Sequence, residues 1–202
     1  MATRSSSSAS PRARTPSRAA PPREVRIIGG QWRRHRLPVP DLPGLRPTPD
    51  RVRETLFNWL GQELTGWTVL DAFAGTGVLG FEAASRGAAS VQMLERETKL
   101  VAGLAASKTR LGADAVTITQ ADALAWMKRA PASFDLVFLD PPFDANLFEA
   151  SLAASLGCVV PRGWIYLEAP ALFDAASLAE RGLELYRHAR AGAVHAHLIR
   201  KN

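Results

Sequence analysis

A chain of 202 residues, 47% hydrophobic and 22% charged, suits one compact domain with modest appendages and has an ordinary globular composition. No apolar run reaches the roughly 18–20 residues of a membrane helix. The one cysteine, Cys158, makes neither an internal disulfide nor a cysteine cluster for zinc, so a reducing cytoplasm and no metal centre are expected. The net charge of +6 is uneven: residues 1–53 hold twelve arginines against three acids, and the remainder is mildly acidic. Such a front end suits a polyanionic partner, and a solvated basic tail is the plainer alternative.

Residues 1–23 are rich in Ser, Ala, Pro and Arg without hydrophobic periodicity, and read as disordered. Pro11, Pro16, Pro21 and Pro22 would break the amphipathic helix of an organellar transit peptide, and there is no apolar segment for secretion. Residues 24–66 then read as a basic extension. Val25–Ile28, Gly29-Gly30 and Gln31–Leu37 predict a hairpin around a Gly-Gly turn. Its second strand would display Trp32 beside Arg33, Arg34 and Arg36, an arrangement suited to stacking on bases and pairing with phosphates. Arg26 and Arg51 belong to the same candidate RNA surface. The plainer alternative packs Trp32 on the body and leaves the arginines solvated. Pro38 to Pro47 should be extended. A helix follows, with Thr48 as N-cap, Pro49 at its first position and Asp50 favoured by the helix dipole. Val52, Leu56, Trp59 and Leu60 are spaced to face the core, with Arg51 and Arg53 turned the other way.

Residues 67–202 alternate. Strands are predicted at Thr68–Ala72, Ser90–Glu95, Ala115–Thr119, Phe134–Asp140 and Trp164–Glu168, with helices near 77–86, 97–111, 122–129 and 145–156. This is an α/β pattern: a parallel sheet with helices on both faces. Leu183–Arg190 and Val194–Arg200 close it as an antiparallel hairpin.

The loop from Asp71 to Gly80 ends the first strand of the alternating part and opens a helix, where such sheets bind ligands. Gly75-Thr76-Gly77-Val78-Leu79-Gly80 satisfies G-x-G-x-x-G, a weak signal that also occurs in nicotinamide enzymes. A pyrophosphate would avoid the Asp71 carboxylate just before the loop; a cofactor with an amino-acid tail and a sulfonium tolerates it. Glu95 ends the next strand, where it can accept from ribose hydroxyls of either cofactor. Asp122 can accept from an adenine amine beside Ala123 and Leu124, and is equally a good helix N-cap. Asp140-Pro141-Pro142-Phe143 decides between these readings. An exocyclic base amine is a poor nucleophile because its lone pair is delocalised. The Asp140 carboxylate and the Pro141 carbonyl can draw its hydrogens into hydrogen bonds, Pro142 stiffens a stretch without N–H donors, and Phe143 can stack on an extruded base. An ordinary strand-ending turn is the plainer reading of Asp-Pro-Pro.

These motifs resemble the class I amino-methyltransferases. Arg46 to Leu60, together with Ile28-Gly29-Gly30-Gln31-Trp32-Arg33, resembles more narrowly the RsmD-type 16S rRNA guanine-N2 methyltransferases, over about residues 25–202. The resemblance implies a Rossmann-like seven-stranded sheet, a monomer, S-adenosylmethionine as cofactor, and a guanine N2 of small-subunit rRNA, in an assembled or assembling particle, as substrate. It implies cofactor contacts at Asp71, Phe73, Gly75, Thr76, Gly77, Glu95, Arg96, Asp122 and Ala123, with Arg46 and Thr48 nearby, and catalytic roles for Asp140 to Phe143. Three rivals remain. A DNA adenine-N6 or cytosine-N4 methyltransferase needs a target-recognition region for which the tight spacing leaves no room. A non-catalytic RNA-binding assembly factor would not need the intact acidic set. A nicotinamide oxidoreductase leaves Asp140 to Phe143 unexplained.

Overall fold

The computed structural model describes residues 23–42, 45 and 47–202, so the tail through residue 22 and Arg46 lie outside the described residues. Two short strands, β1 (Arg23–Arg26) and β2 (Arg36–Val39), form a separate antiparallel ribbon, followed by α1 (Asp50–Leu60). The main sheet then alternates with helices: β3 (Thr68–Asp71), α2 (Val78–Ser85), β4 (Ser90–Glu95), α3 (Thr98–Leu111), β5 (Val116–Gln120), α4 (Ala123–Met127), β6 (Phe134–Leu139), α5 (Phe148–Ser155) and β7 (Val159–Ala169). A short α6 (Ala175–Ala179) leads to the hairpin β8 (Leu183–Ala191) and β9 (Val194–Lys201). The sheet runs β5-β4-β3-β6-β7-β9-β8, parallel as far as β7 and antiparallel around β9, as the Rossmann-like expectation has it. Strand order reverses between β3 and β6, so the crevice at their carboxyl ends is where a ligand fits such a sheet.

Apolar side chains fill both faces. One layer joins Leu56 and Phe57 of α1 and Phe81 of α2 to Val69, Phe138 and Tyr166; the other joins Met127, Leu152 and Leu178 to Leu70, Val137 and Ile165. Val25, Ile27, Trp32 and Leu37 share the first layer, so the N-terminal ribbon is packed into the body.

Four local expectations are corrected. Gly29-Gly30 is not a two-residue turn, because residues 27–35 separate the strands and dock on α2. The Gln31 N–H donates to Ser85 O and the Trp32 N–H to Ser85 Oγ, while Ser85 Oγ–H donates to Gly29 O. A Cβ on Gly30 would lie 1.8 Å from Ser85 O, so this contact requires glycine. Trp32 lies in a turn outside the strands and is only 9% exposed, its ring covered by the core rather than displayed. Arg53 does not face solvent; it is fully buried, binding Glu82 at 2.7 Å, Asp50 at 2.6 Å and Thr48 O at 3.1 Å. Thr48 does not cap α1: Pro49 holds that position without a side-chain cap, and the Thr48 hydroxyl turns toward Asp140.

Candidate active site

The carboxyl ends of β3, β4, β5 and β6 bring Asp71, Glu95, Asp122 and Asp140 to one edge of the sheet. Asp71 is buried, and its Oδ2 accepts from the Gly80 N–H at 3.0 Å, so its first effect is to order the loop and the opening of α2. Burial, with the Glu95 charge adding, raises its pKa to about 7 against the pull of the Gly80 and Phe73 N–H groups. The glycines of the loop divide the work. A Cβ on Gly77 would come within 2.5 Å of Leu104, and one on Gly80 within 2.4 Å of Met93, so both serve close helix packing. Gly75, with φ +52°, would meet Leu45 at 3.3 Å and Phe73 O at 4.0 Å, looser contacts that make it the position where a ligand can approach backbone. Thr76 between them is buried.

Glu95 accepts from the Gly75 N–H through Oε2 at 2.9 Å and from the Arg96 and Glu97 N–H groups through Oε1. With two acceptor directions per oxygen, one remains, on Oε2, enough for a single further hydroxyl. Asp122 caps α4 through Oδ1, accepting from the Ala125 N–H at 2.8 Å, and its Oδ2 receives no donor among the described residues. Phe73, Ala123 and Leu124 pack against the same apolar layer and can line a slot for a ring. Arg96 is exposed and lies 3.6 Å from Glu97. The acidic strand ends, the open glycine and the apolar slot fit a nucleoside with a cationic amino-acid tail.

Beyond β6, Pro141 is buried and Pro142 exposed. The Pro142 carbonyl accepts from the Ala145 N–H, whereas among the described residues no donor is recorded on the Pro141 carbonyl. Phe143 is 43% exposed, its ring set edge-on to Phe148 at 5.5 Å. Asp140 is half-buried, and Thr48 Oγ1–H donates to its Oδ2 at 3.4 Å. Catalytic hydrogen bonds are often this long before a substrate tightens them. Burial, then the charges of Glu168 and Asp71, push the Asp140 pKa well above the usual carboxylate range.

Glu168 escaped the sequence reading. It sits near the end of β7, 3% exposed, and accepts from the Tyr166 hydroxyl at 2.9 Å. Burial raises its pKa, opposed by the hydrogen bond from the Tyr166 hydroxyl. An acid two residues from a tyrosine in an apolar strand was the available signal, since alternation places both on one face.

Of the basic candidates, Arg33, Arg34 and Arg51 are exposed, while Arg26 binds Asp50 at 2.7 Å and Arg36 binds Glu24 at 2.9 Å. A cleft of about 350 Å³ between the ribbon and α1 is lined by Arg26, Arg36 and Thr48, so it adjoins the Asp140 side.

A family model described as conserved hypothetical protein 95 matches residues 25–200. The chain is 41% identical over 160 residues to the ribosomal RNA small subunit methyltransferase D of Escherichia coli, covering 79% of this chain and 78% of that protein. This chain belongs to the ribosomal RNA small subunit methyltransferase D family. The Haemophilus influenzae methyltransferase D is 44% identical over 152 residues, covering 72% and 78% of the two chains. A solved structure of a candidate methyltransferase, yhhF, from Escherichia coli superposes with a TM-score of 0.78 at 34% identity, covering 89% of this chain and 98% of that one. The matched stretch of the methyltransferase D family takes in the docked ribbon as well as the sheet.

Proposed function

We propose that this protein methylates the exocyclic N2 amine of a guanine in small-subunit ribosomal RNA, using S-adenosylmethionine, in the cytoplasm, as a monomer acting on an assembled or assembling particle. The observation that carries the chemistry is a pair of acceptors at the switch point: the Asp140 carboxyl group and the Pro141 carbonyl, which receives no donor among the described residues. The substrate class rests on the named relatives and on the exposed arginines. Asp71 and Glu95 hold the loop that would receive the cofactor, Glu95 and Asp122 keep acceptors for its ribose and adenine, and Phe73 and Leu124 line its ring. The bound cofactor supplies an electrophilic methyl on a sulfonium.

The chain's own residues do the rest. Phe143, exposed beside the motif, offers its face to an extruded base. Asp140 and the Pro141 carbonyl accept the amine hydrogens and turn the lone pair toward the methyl. Orientation and exclusion of water then supply most of the rate.

The test incubates the protein and methyl-labelled S-adenosylmethionine with small ribosomal subunits lacking N2-methylguanosine, with naked rRNA and double-stranded DNA in parallel, and identifies labelled nucleosides by mass. N2-methylguanosine from the ribosomal substrates alone supports the reading. Label in DNA adenine or cytosine, or no transfer although the cofactor binds, defeats it.

A further inference from the structure

Within the ribbon, Arg26 of β1 stands directly opposite Arg36 of β2, so both side chains leave the same face of the strand pair. Like charges in that position repel unless something beside them compensates. Each has one acid. Arg26 Nε donates to Asp50 Oδ2 at 2.7 Å, and one terminal nitrogen of Arg36 donates to Glu24 Oε2 at 2.9 Å. A guanidinium carries five N–H groups, and among the described residues these two find no further acceptor.

The acid on Arg26 is not its own. Asp50 is shared with Arg53, which also binds Glu82, and Glu82 is shared with Arg86. This run of ion pairs holds three guanidiniums and two carboxylates. Arg53 and Arg86 lie in the interior, so the positive charge in excess surfaces at Arg26, the exposed end of the run. Arg110 of α3 brings one more cation to the ribbon, donating to Arg36 O at 2.6 Å. Both ribbon arginines and both of their acids line the cleft of about 350 Å³ beside α1. Thr48 lines it too, and the Thr48 hydroxyl is the group that reaches Asp140. One side chain therefore separates the cleft from the acid of the catalytic motif.

We infer that this cleft is the seat of one phosphate of the substrate RNA, the one flanking the nucleotide whose base is extruded toward Asp140, with Arg26 and Arg36 as its donors. The acids brace the donors. With Nε of Arg26 held by Asp50, its two terminal nitrogens are left as a fork of the shape that two phosphate oxygens accept. A phosphate gripped there lies next to Thr48 and Asp140, so the backbone is fixed close to where the base turns out. Glu24 competes with that phosphate for Arg36, and its removal strengthens the seat.

This rests on ribosomal RNA being the substrate, as read above, and the experiment separates the two. Full-length protein is bound to deproteinised small-subunit rRNA, without cofactor, over about 50 to 200 mM salt, and methyl transfer to small subunits is followed in parallel. Arg26→Gln and Arg36→Gln should each weaken rRNA binding about three- to tenfold, and together lower the salt slope by about one, the loss of one phosphate contact. The KM for S-adenosylmethionine should stay within about twofold. Both ion pairs are exposed, so the substitutions spare the fold. Glu24→Gln should act with the opposite sign, tightening rRNA binding about two- to threefold, because a competing carboxylate is gone. An ion pair that only holds the ribbon would make Glu24→Gln and Arg36→Gln shift binding in the same direction, and that result overturns the proposal. So does an unchanged salt slope. A raised KM for the cofactor with rRNA binding intact gives the cleft to the cofactor's carboxylate and overturns it as well. Opposite shifts in binding, without methyl transfer by the unaltered protein, leave the seat standing and defeat the methyl-transfer reading instead.

Discussion

Two groups of buried acids are treated in opposite ways. Glu82 on α2 is fully buried, yet Arg53 reaches it at 2.7 Å and Arg86 at 3.3 Å, and the Ile28 and Gly29 N–H groups bind its oxygens. Arg86 also lies over the Phe57 ring at 4.3 Å. Glu82 thus fastens ribbon, α1 and α2 into one block. Among the described residues, Asp71, Asp140 and Glu168 receive only hydroxyls and N–H groups, and their pKa values are raised. Burial alone therefore does not mark a working acid. An uncompensated buried charge costs stability, and such a cost is concentrated where protons or cations are to be handled.

Breaking the uncompensated side should act on rate and spare the fold. Asp140→Ala should lower methyl transfer by 10²- to 10⁴-fold, on the order of 3–5 kcal/mol of transition-state stabilisation, while calorimetric binding of S-adenosylmethionine stays nearly unchanged. Unchanged turnover would remove Asp140 from the chemistry. Breaking the compensated side should do the reverse. Arg53→Met leaves Glu82 short of a partner and should cost about 3–5 kcal/mol in denaturant unfolding; a loss below about 1 kcal/mol would mean that Arg86 alone suffices.

The contrast also has a pH signature. The folded pKa of Asp71, about 7, lies above the ordinary carboxyl value of 3.8, so the folded state binds the extra proton between these values. Its contribution is therefore complete below about pH 4 and is lost as pH rises through 7, by up to about 4 kcal/mol. Asp71→Asn, which keeps an acceptor for Gly80, should flatten that slope in unfolding measured from pH 4 to 8; an unaltered slope would assign it to other groups. Phe143→Ala should cost about 1–3 kcal/mol in kcat/KM for RNA without altering thermal stability, if a base stacks there. Replacing Arg33 and Arg34 together should weaken RNA binding by about tenfold and lower its salt slope by one to two, the smallest of these effects. An unchanged slope would place the phosphate contacts elsewhere.

What was legible in the sequence follows the range of the interactions. Strands β3 to β6 could be read because apolar runs and turn residues are local. Asp71, Glu95 and Asp122 could be placed because each terminates such a run. Glu82 and Arg53 could not, since their partners lie far along the chain and a charge at a helical position is ordinarily exposed. β7 begins at Val159, earlier than expected, because Pro161 and Gly163 conceal a strand that passes through Arg162 at φ +63°. The Gly-Gly pair looked like a turn because both uses of glycine leave the same letters: here the missing side chains admit Ser85 and Arg86. Glu168 was read as strand, but its depth depends on tertiary neighbours, among them β9 at its side and Tyr166 beside it.

The clamp of Gly29 and Gly30 on Ser85 makes the molecule a caliper with a fixed gap. One jaw carries Arg33 and Arg34, the other Asp140 and Phe143, and the ribbon that joins them shares the core with the sheet. On the function proposed above, a gap held rigid in this way would let distance within a folded RNA, more than contacts to base edges, guide the choice of target.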